Sequence, residues 1–270
     1  MIQERIYLSD DGRAYLDTYV SFDHLKNSRA AILILPGGGY HGVSPREGEP
    51  IALAFLARGY NAFVLQYRVG EDGDVYPKQL LDASRAILHI RENAEKYCVD
   101  PDRITVLGFS AGGHLAGSLA YMHNESEILE ALGIEEGANR PNSAVLCYPV
   151  VTALHKTHEG SFKNLLGKPY SELTDEERYK FSLEERASEN SPPTFIWHTA
   201  RDKGVPPIGS LRLTEKLIDL GVTVTARIYP YGGHGISLAN EITASEIPGG
   251  HIQPIAEKWI GEVDEWLRTL

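Results

Sequence analysis

Ile104-Thr-Val-Leu-Gly108-Phe-Ser110-Ala-Gly112-Gly-His114-Leu-Ala-Gly-Ser-Leu-Ala120 is the stretch from which the rest of the chain can be read. Its first part is a short apolar run of strand-forming residues, and its last part can continue as a helix. Between them stands G-x-S-x-G. A serine at a sharp strand-to-helix turn needs small residues two positions away on each side, because a Cβ there would run into neighbouring backbone. The strain of such a turn exposes the hydroxyl. The pattern alone arises by chance in about one chain in ten of this length, and its bland reading is a glycine-rich turn that binds phosphate at a helix N-terminus. Its place directly after an apolar strand favours a nucleophile, Ser110.

Outward from this turn, apolar runs alternate with helical periodicity, the pattern of a mostly parallel sheet covered by helices on both faces. Strands are predicted at residues 30–35, 61–67, 104–109, 143–148, 194–199 and 223–229. Residues 2–8 and 16–22 flank the turn signal Asp10-Asp11-Gly12 and read as an antiparallel hairpin at the sheet's edge, which makes eight strands. Helices are expected at 50–58 and at 78–94, where Leu80, Ala83, Ile87, Ile90 and Ala94 share one face. Ile255, Trp259, Val263, Trp266 and Leu270 repeat at helical spacing and predict a closing helix. The reading is one α/β domain over residues 1–270, with 149–193 as a small insertion after strand six, expected to cap the site. Within that insertion the charged stretch 172–189 has helical character.

A serine hydroxyl attacks well only when a base takes its proton and a buried acid holds the base. In a sheet of this kind the partners follow the serine in the order acid, then histidine, on loops after later strands. Asp202 stands just past the seventh predicted strand, in Trp197-His-Thr-Ala-Arg-Asp202, and His234 just past the eighth, in Tyr229-Pro-Tyr-Gly-Gly-His234. Among the ten histidines, His114 is expected to pack or orient its helix. His198 lies inside a strand and His251 in a late loop, so neither is expected to be the base.

Acyl transfer also needs backbone N–H donors aimed at the developing oxyanion. Pro36-Gly-Gly-Gly-Tyr40-His41 follows the third strand and can supply them, together with the residue after the nucleophile. The predicted donors are Gly38, Gly39 and Ala111, with Tyr40 and His41 as substrate contacts. The three glycines do not complete G-x-G-x-x-G, and His155-x-x-His158 lacks a partnering acid motif, so neither a cofactor nor a metal is expected.

With 42% apolar and 23% charged residues the chain is of ordinary globular composition. A formal charge of −11 offers no footprint for nucleic acid or an anionic membrane, which leaves a neutral small-molecule substrate. No run approaches the ~20 apolar residues of a membrane span. The N-terminus lacks the layout of a secretory signal, so a cytoplasmic location is expected. Cys98 and Cys147 suit reduced thiols better than a disulfide.

Taken together, Pro36-Gly-Gly-Gly-Tyr40, Ser44-Pro-Arg-Glu-Gly-Glu-Pro50, Gly108-Phe-Ser-Ala-Gly-Gly113, Trp197-His-Thr-Ala-Arg-Asp202 and Gly232-Gly-His-Gly-Ile-Ser237 resemble the acetyl esterase and acetyl-xylan-esterase-like branch of the α/β-hydrolases. The resemblance spans residues 30–270. It implies Ser110, Asp202 and His234 as a catalytic triad, Gly38, Gly39 and Ala111 as the oxyanion hole, and hydrolysis of short, chiefly acetyl, esters on carbohydrates such as xylo-oligosaccharides. The chain departs from a common form of the oxyanion motif, having Pro36 where related enzymes have histidine. Arg201 precedes the acid and is expected to face solvent, and Arg46, Glu47 and Glu49 are read as a charged cluster at the site entrance or a solvated loop. The alternatives are an amidase or peptidase of the same fold, and a catalytically silent relative that binds its ligand.

Overall fold

The computed structural model describes residues 2–21, 28–70, 73–245 and 251–270. Its centre is one eight-stranded sheet: β1 (Arg5–Tyr7), β2 (Tyr15–Tyr19), β3 (Arg29–Leu35), β4 (Asn61–Gln66), β5 (Val99–Phe109), β6 (Ser143–Cys147), β7 (Thr194–Thr199) and β8 (Val224–Tyr229). The spatial order is β1-β2-β4-β3-β5-β6-β7-β8. β1 and β2 pair antiparallel at one edge, β2 pairs antiparallel with β4, and every later pairing is parallel. All eight predicted strands form. Phe22, placed at the end of the second strand, lies outside the described residues, and β2 itself stops at Tyr19. β5 begins at Val99, ahead of the apolar run, because Val99 pairs with Arg29 before a bulge resets the register at Ala31 and Ile104.

Ten α-helices fill the connections: α1 (Glu49–Leu56), α2 (Lys78–Glu92), α3 (Ala94–Tyr97), α4 (Ser110–Tyr121), α5 (Ser126–Leu132), α6 (Glu159–Leu166), α7 (Asp175–Lys180), α8 (Leu183–Arg186), α9 (Ile208–Asp219) and α10 (Trp259–Leu267) among the described residues. The helix expected over 78–94 breaks at Asn93, and α3 then ends on Cys98 in the left-handed region, φ 50°. The charged stretch in the insertion is two short helices, α7 and α8, the first opened by a capping box between Thr174 and Glu177.

Strand periodicity divides the core into two layers. In β3, Ala31, Leu33 and Leu35 face the layer shared with α2 and α4, while Ile32 and Ile34 face α1 and α10. In the second layer Trp259 stacks on Trp197 with centroids 5.3 Å apart, and Phe55 and Phe109 pack round it. Each such fully buried large side chain contributes roughly 1.5–3 kcal/mol from leaving water. α4 is buried along its whole length. It can lie so deep because it is glycine-rich: a Cβ on Gly113 would come within 2.9 Å of Pro149, and one on Gly117 within 2.4 Å of Leu183. The C-terminal ends of β3, β5, β7 and β8 thereby open onto one edge of the sheet, where ligands of open α/β sheets bind.

Candidate active site

β5 ends at Phe109, and the chain turns at once into α4 through Ser110, whose φ is 54°. A non-glycine residue held there costs on the order of 1–3 kcal/mol. The two flanking glycines make the turn possible. A Cβ on Gly108 would lie 2.0 Å from the Gly112 carbonyl oxygen, and one on Gly112 would lie 2.2 Å from that of Leu35.

The Ser110 hydroxyl donates to His234 Nε2 at 2.7 Å, and His234 Nδ1–H donates to Asp202 Oδ2 at 2.7 Å. The carboxylate accepts only, so the imidazole proton sits on Nδ1 and Nε2 is free to accept. Asp202 Oδ1 receives the Gly204 and Val205 amides, both at 2.9 Å. Burial alone would raise the Asp202 carboxyl, but hydrogen bonds from His198 and His234 outweigh it and hold the group well below the usual carboxylate range. The structure thus brings Ser110, His234 and Asp202 into one hydrogen-bonded line.

Behind Asp202 stands a residue that sequence reasoning set aside. His198, fully buried in β7, has its Nε2 3.1 Å from Asp202 Oδ2 and 3.0 Å from the Val205 carbonyl. Both are acceptors, so Nε2 carries the proton, and Nδ1 accepts from the Ser210 hydroxyl at 2.9 Å. The spacing of His198 and Asp202 offered no signal, because a strand end and the loop beyond it have no fixed period.

The glycine loop after β3 lies against the elbow. The Gly37 amide is already committed, donating to Glu47 Oε2 at 2.8 Å. The Gly38 and Gly39 amides have no acceptor among the described residues, and Ala111 lies in the first turn of α4, where amides lack intrahelical partners. Gly38 is exposed with φ 138°, and a Cβ there would strike the Gly42 carbonyl at 2.1 Å, so no other residue fits.

Tyr40 requires a correction. It is only 1% exposed, because a φ of 56° turns its side chain inward, where its hydroxyl meets His114 Nδ1 at 2.8 Å. It supports the loop from beneath and does not line the substrate's side. His41 is exposed, its amide turned back to the Gly38 carbonyl. Of the two readings of Arg46, Glu47 and Glu49, a charged cluster at the entrance or a solvated loop, neither describes all three. Glu47 is buried under the loop, Glu49 is exposed, and Arg46 bonds the carbonyls of Thr243 and Gly235. Arg201 is exposed over the Tyr231 ring.

The insertion reaches the same place. Asn164 of α6 donates to the Gly39 carbonyl at 2.8 Å. His158, at the N-terminal end of α6, is exposed beside Gly39, its Nδ1 held by Ser161 at 2.9 Å. Among the described residues no group of three His, Cys, Asp or Glu side chains could hold a metal ion, and no helix is long and apolar enough to cross a membrane.

A mostly parallel sheet of this order, a strained serine at the end of its central strand and a histidine and aspartate on later loops define an α/β-hydrolase. More narrowly, the BD-FAE family model matches residues 16–217, and the chain belongs to that family. The resemblance to acetyl-xylan-esterase-like α/β-hydrolases is borne out by its relatives. An acetylxylan esterase of Xylanibacter ruminicola is 30% identical over 84% of this chain and 45% of its own length. An endo-1,4-beta-xylanase B of Butyrivibrio fibrisolvens is 38% identical over 87% of this chain and 36% of its own. The chain therefore spans less than half of either relative. Among solved structures, an acetyl ester-xyloside bifunctional hydrolase from Caldicellulosiruptor lactoaceticus is 34% identical, with a TM-score of 0.80 over 97% of this chain and 91% of the other. The carboxylesterase Cest-2923 from Lactobacillus plantarum is 26% identical, with a TM-score of 0.85 over 100% and 98%.

Proposed function

We propose that this chain is a serine esterase that hydrolyses short-chain, chiefly acetyl, carboxylic esters on carbohydrates such as xylo-oligosaccharides through an acyl-enzyme. The observation that carries this reading is the line from Ser110 Oγ to His234 to Asp202, each step 2.7 Å. Ser110 attacks the acyl carbonyl, and His234 takes the proton and returns it to the departing alcohol. Water then repeats the sequence on the acyl-enzyme. Asp202 holds the Nδ1–H tautomer and stabilises the imidazolium. The Gly38, Gly39 and Ala111 amides receive the oxyanion, each donor worth about 3 kcal/mol of barrier.

The acetyl and carbohydrate parts of the reading are supported by what the relatives are named for, an acetylxylan esterase and an acetyl ester-xyloside hydrolase. We read residues 1–270 as one domain in which the 149–193 segment borders the alcohol side of the site. Two free thiols are compatible with a reducing compartment, in keeping with a cytoplasmic enzyme.

The test is hydrolysis of p-nitrophenyl acetate, butyrate and octanoate by the wild type and by Ser110→Ala, with acetate release from acetylated xylo-oligosaccharides. The expected result is activity that falls with acyl length, a loss of several orders of magnitude in the variant, and released acetate. Equal turnover by wild type and variant would overturn the assignment of Ser110, and absence of any ester hydrolysis would overturn the reading as a whole.

A further inference from the structure

Glu47 is 3% exposed, a carboxyl group buried within the site that the reaction as described does not use. Both of its oxygens are engaged. Oε2 accepts the Gly37 amide at 2.8 Å, and Oε1 accepts the Tyr148 hydroxyl at 2.5 Å. Tyr148 Oη in turn accepts the Ser237 amide at 3.0 Å, three residues past His234, and the Tyr148 ring meets the His234 ring edge to face at 5.2 Å. Glu47 and Tyr148 together thus tie the glycine loop after β3 to the loop after β8. Gly37 itself is wedged between this carboxylate and the elbow: a Cβ on it would lie 2.7 Å from Glu47 Oε2 and 3.0 Å from Ser110 Cβ.

Resting on the triad reading above, we propose that Glu47 is a positioning residue that acts as an anion: through Tyr148 and Gly37 it aligns His234 with the oxyanion loop, and its charge stabilises the His234 imidazolium. A charge is costly to bury unless it is hydrogen-bonded, and neutral groups would link two loops as well. The arrangement gains from the charge because a cation forms beside it in each half-reaction. Burial pushes the Glu47 carboxyl up, opposed by its bonds to Tyr148 and Gly37 and by the charge of His234. The other charged or titratable groups facing His234 are Asp202 on Nδ1, with His198 behind it, Tyr148 against the ring, and His158 on the α6 side. Arg46, on the Gly235 carbonyl, lies next along the loop.

The acid limb of a kcat/KM profile reports the pKa of the free enzyme's base. Glu47→Gln keeps the shape of the side chain and removes the charge, so the imidazolium becomes less stable and the limb moves to lower pH. The expected shift is at least about half a unit, with kcat down by about tenfold or more and KM on p-nitrophenyl acetate unchanged within about twofold. Glu47→Asp, which keeps the charge, leaves the limb where the wild type has it. Labelling of Ser110 by a fluorophosphonate and an unchanged circular dichroism spectrum check that each variant is folded. A limb that stays put in Glu47→Gln overturns the proposal, whatever happens to kcat. Should Glu47→Gln not fold, Tyr148→Phe cuts the same tether, and an unchanged kcat there overturns it. A wild type that hydrolyses no ester and takes no label refutes the esterase reading itself, an outcome distinct from either of these.

Discussion

His198 and His234 both address one atom, Oδ2 of Asp202, at 3.1 and 2.7 Å. His198 is fully buried and locked by Ser210 and Val205, so it fixes where the carboxylate points and, through it, the imidazole. His198→Ala leaves Asp202 with one side-chain donor fewer and opens a cavity. We expect kcat to fall by about tenfold, KM to change little, and stability to drop by about 1–3 kcal/mol. Steady-state kinetics with a denaturant melt check this, and an unchanged kcat would remove His198 from the site.

The elbow leaves no room for a methyl group. With a Cβ on Gly108 at 2.0 Å from the Gly112 carbonyl, Gly108→Ala forces the start of α4 away from β5. The expected result is a loss of several kcal/mol, in the range of the worst overpacked core substitutions, and poor recovery of soluble protein. Gly233→Ala, where a Cβ meets nothing within 4 Å, is the matched control and should fold.

His114 makes the fold sensitive to acid. Burial pushes its imidazole down to about 4 from 6.5, against the bond to the Phe181 carbonyl, which raises it. Between those two values the unfolded chain binds a proton that the folded chain excludes. Stability from this group is therefore complete above about pH 6.5 and is lost as the pH falls towards 4, by up to about 3 kcal/mol. Urea melts of the wild type and His114→Gln at pH 7, 6, 5 and 4 should show a shallower decline in the variant. Parallel curves would assign the acid sensitivity to other groups.

His158 tests the part played by the insertion. Its Nε2 has no protein partner among the described residues, and the ring stands beside Gly39. A sugar alcohol seated there can hydrogen-bond to it, whereas a p-nitrophenol ester gains little. His158→Ala should raise KM about threefold to tenfold for acetylated xylo-oligosaccharides, the loss of one hydrogen bond, and leave p-nitrophenyl acetate nearly unaffected. Equal effects on both substrates would count against a contact to the alcohol.

The sheet and its serine were legible because both depend on local rules. Apolar runs such as Ala30 to Leu35 must be buried on both faces, and the glycine spacing belongs to the strand-to-helix turn itself, where a Cβ on Gly108 would strike the Gly112 carbonyl four residues on. Asp202 and His234 could be named because the order of strands dictates which loops arrive at the same edge. The side chains that support them were not legible. His198, inside a strand, looks like any buried polar residue. Tyr40 was misplaced because nothing in Gly39-Tyr40-His41 announces that a positive φ turns the ring inward. Glu47 reads as one charge in a polar loop, and its burial is decided by Gly37, Tyr148 and the loop after β8 closing over it. Local chemistry and strand order are written along the chain, so the sequence by itself determined the fold class and the three residues in line. Only the tertiary structure decided which groups hold them, since contacts such as that of Tyr148 with Glu47 join residues 101 positions apart and no periodicity or spacing encodes them.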